Sequence, residues 1–275
     1  MTQPRDNYLV VTVVTVTRND LRRLRATWES LKEQDLAAFE WIVVDGASAD
    51  GTAEWLGALS DPRLTFVSEP DDGLYDAMNH GLALASGELT TFLNAGDSYL
   101  RPDVLSRVAQ MHKSEGWQWG HGAAVIVDET GRQVRPVTGG YRGRLRYAFG
   151  RSVVTHQTVF ARTELLRKLG GFDLRFPIAG DVHMTMRLSG VSPPRVWQSL
   201  DVAYEEGGVS DESLGRSLAD MHRARVDAFE MGPVAEMGDA VWTKAVLAYV
   251  HGRRQAKRAA RAVLGERSID WWASR

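Results

Sequence analysis

Acidic side chains in this chain recur just past runs of β-branched and aromatic residues, where strands would end. Asp45 follows Trp41-Ile42-Val43-Val44, Asp72 and Asp76 flank Gly73-Leu74-Tyr75, and Asp97 closes Asn94-Ala95-Gly96-Asp97. Farther on, His156 lies in Thr155-His156-Gln157 and Asp181 ends Ile178-Ala179-Gly180-Asp181. Ligands of an open α/β sheet bind beyond the carboxyl ends of its strands. A carboxylate there accepts hydrogen bonds from a nucleobase imide or a ribose hydroxyl. Carboxylate and amide oxygens together suit a hard divalent cation, a neutral imidazole can ligate a metal, and a carboxylate beside a hydroxyl can take its proton. Each residue also has a structural alternative. Asp45 precedes a glycine, as in many turns; Asp71 or Asp72, and separately Asp181, can cap a following helix; His156 can be a satisfied structural histidine. His121 and His183 have weaker cases, although His183 lies close enough to Asp181 to reach an acceptor.

These groups act together only if the surrounding elements bring their loops to one edge. Tyr8–Thr17 is a β-branched run, and Leu21, Leu24, Trp28 and Leu31 then recur at helical spacing. Trp41–Asp45, Leu64–Ser68 and Leu89–Asn94 read as strands, with helices over Thr52–Leu59 and Leu74–Ala85. That alternation predicts a mostly parallel central sheet flanked by helices. Beyond Asp97, Pro102 opens a helix, and Ala123–Val127 and Arg132–Val137 flank Asp-Glu-Thr-Gly as a hairpin. Val153–Ala161 reads as a strand, followed by a helix ending at Gly170-Gly171 and another over Asp181–Leu188. The division expected is an α/β domain at 1–210 and a helical C-terminal appendage at 211–275.

With 275 residues, 44% of them hydrophobic, the chain can bury a full core. Its 33 basic and 35 acidic residues argue against a sequence-wide nucleic-acid footprint. The absence of cysteine excludes disulfides and thiolate metal sites and fits a reducing compartment. The polar start Met1–Asn7 is unlike a secretory leader, and no apolar stretch is long enough to span a bilayer, so the expectation is a cytoplasmic protein, soluble or peripheral.

The first strand runs into Thr17-Arg18-Asn19-Asp20, without the glycines of a dinucleotide site or a P-loop. What remains is a site built from side-chain carboxylates. Val-Thr-Arg-Asn (16–19), Glu-Trp-Ile-Val-Val-Asp-Gly-Ala-Ser-Ala-Asp-Gly-Thr (40–52), Glu-Pro-Asp-Asp-Gly-Leu-Tyr-Asp-Ala-Met-Asn (69–79), Phe-Leu-Asn-Ala-Gly-Asp (92–97) and Thr-His-Gln-Thr-Val-Phe (155–160) occur in one order. In that order they resemble the bacterial family 2 glycosyltransferases of the GT-A fold, most of all the branch with colanic-acid-type and mycobacterial glycolipid fucosyltransferases.

The resemblance implies an inverting glycosyltransferase that moves a sugar from a nucleoside-diphosphate donor, GDP-fucose favoured, to a saccharide or lipid-linked acceptor in polysaccharide or glycolipid biosynthesis. UDP and dTDP sugars remain open. It implies that Thr17, Asn19, Asp45, Asp72, Asp76, Asn79 and Asn94 bind the donor, that Asp97 and His156 hold Mg²⁺ or Mn²⁺, and that Asp181 is the base. The sequence departs from the family's acidic metal motif, often Asp-x-Asp-Asp: Asn94 brings an uncharged oxygen, Gly96 no side chain, and only Asp97 is acidic. The rivals are a nucleotidyltransferase on a related sheet, which would show a Gly-rich loop after its first strand, and a non-catalytic nucleotide- or sugar-binding module. Gly207-Gly208-Val209-Ser210 resembles a segment that closes over the donor, or is an ordinary turn. In the tail, Trp242, Ala245, Val246, Tyr249 and Val250 form an apolar helical face, followed by Arg253, Arg254, Lys257, Arg258 and Arg261 and by Trp271-Trp272. Such a helix lies on an anionic membrane surface or packs its apolar face on the main domain.

Overall fold

Val11–Thr17 forms strand β1 and is buried along its whole length, as expected of a strand covered on both faces. Around it lie β2 (Phe39–Asp45), β3 (Leu64–Ser68) and β4 (Leu89–Phe92), all parallel, in the order β3-β2-β1-β4. The connections are helices α1 (Leu21–Lys32), α2 (Thr52–Ala58) and α3 (Leu74–Leu84). A computed structural model, it describes residues 11–128, 130–138, 140–148, 154–205 and 214–264.

The sheet continues with mixed direction. The elements are β5 (Ser98–Tyr99), α4 (Val104–Glu115), β6 (Trp119–Val127), β7 (Gln133–Val137), α5 (Arg144–Ala148), β8 (Val159–Arg162), α6 (Thr163–Lys168), α7 (Gly180–Val191) and β9 (Arg195–Glu205). The order runs on as β4-β8-β6-β9-β5, with β7 a hairpin partner of β6. Here β6–β9 is parallel, whereas β4–β8, β6–β8, β6–β7 and β5–β9 are antiparallel, so the uniformly parallel character belongs to the first four strands.

Side chains on the two faces of the strands enter separate cores. Val11, Val13, Trp41 and Val43 pack with α1 and α4 through Leu24, Trp28, Leu105 and Val108. Val14, Val16, Ile42 and Val44 pack with α3 and α7 through Met78, Leu82, Met184 and Leu188. Trp28 stacks on Trp41 at 4.6 Å, which fixes α1 against β2.

Several boundaries differ from the sequence reading. The strand expected over Val153–Ala161 begins only at Val159, because a 3₁₀ turn at His156–Thr158 precedes it. Thr158 closes that turn, donating its N–H (3.0 Å) and its hydroxyl (2.7 Å) to the Thr155 carbonyl. Helix α4 starts past Pro102, at Val104. Strands β5 and β9 were not expected. The start of the first predicted strand, Tyr8–Val10, and the Gly207–Ser210 segment lie outside the described residues.

At the C-terminal end, α8 (Leu214–Ala228) packs on α7, and α9 (Pro233–Leu264) packs on α8. Asp220 of α8 accepts the backbone N–H groups of Ile178 and Ala179 just ahead of α7, each at 2.9 Å. On α9, Val246 and Val250 are half-buried while Trp242, Ala245 and Tyr249 are exposed. Among the described residues no helix is long and apolar enough to cross a membrane.

Candidate active site

The carboxyl ends of β1, β2 and β4 open on one side of the sheet. After β4 the chain turns through Asn94–Asp97, with Gly96 in the left-handed region at φ +99°. Helix α1 braces this turn: the Thr27 hydroxyl donates to the Asp97 carbonyl (2.8 Å) and accepts from Gly96 N–H (3.0 Å). The Asp97 carboxylate accepts Asn94 N–H at 3.2 Å and is buried. Burial pushes its pKa up to about 6, against the pull of His156, Gln157 and Arg23.

His156, at the start of the 3₁₀ turn, faces this loop. Its Nδ1 lies 3.0 Å from Asp181 Oδ2 and its Nε2 lies 3.4 Å from the Asn94 amide nitrogen. Burial alone would lower the imidazole pKa, but the hydrogen bond to Asp181 and the charges of Asp181 and Asp97 together raise it. Asp181 stands in the first turn of α7 and is held by more than its histidine. Its Oδ1 accepts Val182 N–H (2.8 Å) and faces the Tyr75 hydroxyl (3.1 Å), whose single proton is shared between it and the Ile178 carbonyl. Burial pushes this carboxyl up, yet His156, Val182 N–H and Tyr75 hold it below the usual carboxylate range. Tyr75 reaches it only because residue 180 is glycine: a Cβ there would sit 2.7 Å from the ring. A cavity of about 20 Å³, walled by Phe92, Phe172, Met184 and Leu188, lies against His156 and Asp181.

The donor set for a cation is in the same loop. Asn94 Oδ1 is buried without a hydrogen-bond partner among the described residues, in the loop whose Asp97 carboxylate accepts Asn94 N–H. Thr17 Oγ1, at the end of β1, is likewise buried and unpartnered there. Hard, under-satisfied oxygens of this kind fit Mg²⁺ or Mn²⁺. A second cluster, Asp173, His183 and Asp227, brings three ligand atoms within 4.8 Å of one another. Arg175 already supplies a cation to it, donating to Asp173 at 2.6 Å and Asp227 at 2.9 Å, while His183 Nε2 bonds Asp227 at 2.8 Å.

The other expected residues divide. Asp45 is fully buried, and its carboxylate is taken up by the Ser48 N–H and hydroxyl and by the Ser68 hydroxyl at 2.6 Å. Asn19, exposed and left-handed at φ +52°, ties the loops after β1 and β2 together. Its Oδ1 accepts Ala49 N–H (2.8 Å) and its own N–H donates to Ser48 Oγ (2.7 Å). Asp72 is exposed and caps nothing with its side chain; instead its N–H donates to Asp76 Oδ2 at 3.0 Å, as in a capping box. Asp71 accepts Gly73 N–H at 2.9 Å.

Asn79 has a structural partner. Both polar atoms of its amide bind the backbone of Phe172, Nδ2 donating to the carbonyl (2.9 Å) and Oδ1 accepting the N–H (2.8 Å), which leaves one amide hydrogen and one oxygen lone pair. His121 is spent in the same manner, on Gly122 and Tyr141 backbone groups. Tyr75, Thr27 and Gln157 were missed as site residues. Tyr75 and Gln157 sit inside quoted motifs, but nothing local says that their polar ends meet Asp181 and Asp97.

The profile described as Glycosyl transferase family 2 matches residues 12–170. An uncharacterized glycosyltransferase of Mycobacterium tuberculosis is 33% identical over 226 residues, covering 78% of this chain and 84% of that protein. A PGL/p-HBAD biosynthesis glycosyltransferase of Mycobacterium bovis is 31% identical over 216 residues, covering 75% and 81%. Two solved structures share the fold. The mannosyltransferase PcManGT from Pyrobaculum calidifontis, in complex with GDP-Man and Mn²⁺, has a TM-score of 0.62 at 21% identity and covers 95% of this chain and 82% of its own. Staphylococcus aureus TarS 1–349 in complex with UDP-GlcNAc has a TM-score of 0.64 at 17% identity and covers 95% and 77%.

Proposed function

The chain belongs to glycosyl transferase family 2 and is a glycosyltransferase of the GT-A α/β fold using a nucleotide sugar, and we propose that it works by inversion with Asp181 as base. The observation that carries this reading is the line Asp97–His156–Asp181 beside the β4 end. An acceptor hydroxyl attacks the anomeric carbon, the bond from that carbon to the diphosphate breaks with its electrons on the leaving oxygen, and the hydroxyl proton passes to Asp181. Its lowered pKa keeps that carboxylate ionised at neutral pH. Tyr75 and Val182 N–H hold Oδ1, and His156 orients Oδ2. A divalent cation held by Asp97 and Asn94 Oδ1 would supply positive charge for the departing diphosphate. Thr17, Asn19, Asp45, Asp72 and Asp76 surround the nucleotide; to contact the base, Asp45 exchanges its serine partners for it. This machinery falls within residues 1–210, with 211–275 as the appendage.

The favoured donor is a GDP-sugar, GDP-fucose above others, and the acceptor a saccharide or lipid-linked hydroxyl. The GDP-Man and Mn²⁺ of PcManGT support a GDP-sugar, and the mycobacterial PGL/p-HBAD relative supports a glycolipid acceptor. The UDP-GlcNAc of TarS makes uridine the competitor. The test is a thermal-shift panel of GDP, UDP, dTDP and CDP with EDTA, Mg²⁺ or Mn²⁺, on wild type, Asp97→Ala and Asp181→Ala. GDP should stabilise the protein in a metal-dependent manner, and Asp97→Ala should lose that dependence. Asp181→Ala should bind nucleotide like wild type and fail to transfer. Full turnover by Asp181→Ala would overturn the base assignment, and stabilisation by UDP alone would overturn the donor.

A further inference from the structure

Helix α7 carries Asp181 in its first turn but does not cap itself. Ala179 stands at the N-cap, where Ser, Thr, Asp or Asn would ordinarily supply an oxygen, and it makes no side-chain capping bond. The oxygen comes from α8 instead. A single carboxylate oxygen of Asp220, Oδ2, accepts the N–H groups of Ile178 and Ala179, each at 2.9 Å, and Asp220 is 2% exposed. Its Oδ1 is taken by Arg223, whose guanidinium lies over the Phe176 ring at 5.9 Å. Phe176 and Ala179 form one apolar cluster with Ala224 of α8, so the acid enters a packed contact rather than an open surface.

The peptide unit joining Ile178 to Ala179 is thereby bonded at both ends. Its N–H goes to Asp220, and its C=O shares the Tyr75 hydroxyl proton with Asp181 Oδ1, both at 3.1 Å. The Ala179 carbonyl then accepts His183 N–H at 2.7 Å, a first-turn bond of the helix. Within that turn Val182 N–H holds Asp181 Oδ1. Past it, His183 Nε2 bonds Asp227 of α8 at 2.8 Å, so α8 grips α7 on either side of Asp181. Without Asp220 two buried N–H groups lose their acceptor, and the turn that aims the carboxylate loses its anchor. A base acts only within hydrogen-bond reach of the proton it takes, and a misplacement of about 1 Å can cost about a hundredfold in rate.

We propose that Asp220 is a positioning residue for the base, acting from the C-terminal appendage through the Ile178–Ala179 peptide on Asp181. It rests on the assignment of Asp181 as base. The test compares Asp220→Ala, which frees both N–H groups, with Asp220→Asn, which keeps one oxygen for them while its amide faces Arg223, a side chain 59% exposed. Rates are read as release of nucleoside diphosphate from GDP-fucose, or from UDP-GlcNAc where the nucleotide panel selects uridine, and local order as hydrogen exchange of the 178–183 amides. Asp220→Ala should lower kcat about tenfold or more at a donor KM within about twofold of wild type, and lose about tenfold in exchange protection over 178–183 alone. Asp220→Asn should hold kcat within about threefold of wild type. On an Asp181→Ala background Asp220→Ala should cost nothing further, because both act through one carboxylate. Wild-type kcat in Asp220→Ala, an additive loss on that background, or a tenfold loss in Asp220→Asn overturns the proposal. Full turnover by Asp181→Ala overturns the base assignment and this proposal with it, whereas undiminished exchange protection over 178–183 in Asp220→Ala overturns this proposal alone.

Discussion

Replacing Asn79 by alanine separates a structural bracket from a donor contact. Asn79 satisfies both backbone groups of Phe172, at 2.8 and 2.9 Å, and Phe172 is 5% exposed. Its ring stacks on Tyr75 at 5.4 Å and meets Phe92 edge-on at 4.8 Å, so the bracket also supports the tyrosine that holds Asp181. Without the amide, two hydrogen bonds of about 1 kcal/mol each vanish, and a buried N–H and C=O are left to find water, for a total loss of about 2–4 kcal/mol. For a chain of this size that is a fall in Tm of about 5–12 °C. Urea unfolding followed by tryptophan fluorescence should show a lower midpoint at unchanged slope. Calorimetric nucleotide affinity should stay within about twofold of wild type if the Asn79 amide acts through Phe172 alone, since both of its polar atoms are turned to that backbone. Stability within about 0.5 kcal/mol of wild type, combined with a tenfold or greater loss of nucleotide affinity, would refute the reasoning and make Asn79 a ligand contact.

Other perturbations have defined signs. Tyr75→Phe removes a hydrogen bond that favours ionised Asp181, so the acid limb of the kcat/KM profile should move to higher pH while activity at high pH changes less. Asp97, raised to about 6 by burial, is protonated as pH falls through that value. Proton and cation then compete for one carboxylate, and Mn²⁺ affinity read from nucleotide thermal shifts should be about tenfold weaker at pH 5 than at pH 7. Asp97→Asn should abolish both the metal response and its pH dependence. Asp239→Ala leaves Arg225, 5% exposed, without its carboxylate partner, and should cost about 3–5 kcal/mol in urea unfolding with nucleotide affinity retained.

Much of the framework was legible because it is encoded locally. β-Branched runs alternating with helical periodicity located β1–β4 and α1–α3 to within a few residues, and the turn at Asp-Glu-Thr-Gly located the β6–β7 hairpin. The loop acids could be named from their places at strand ends. Other elements carried no local signal. β9 has Gln198, Ser199 and Asp201 within it and is a strand because β6 and β5 supply its hydrogen bonds, and β5 is two residues long. The 3₁₀ turn at His156 interrupts what reads as a strand, since Thr158 bonds back to Thr155. Asn79 sits in a donor-like motif, yet the fold brings Phe172 to it. The Asp97–His156–Asp181 line also depends on strand order: β8 inserts beside β4, its leading turn carries His156 to Asn94, and Tyr75 from α3 meets the first turn of α7. Backbone preference and hydrophobic period act over a few residues, and the sequence by itself therefore determined which segments became strands and helices. Which distant polar groups face one another depends on how those segments bury their apolar faces together, and only the tertiary structure decided that.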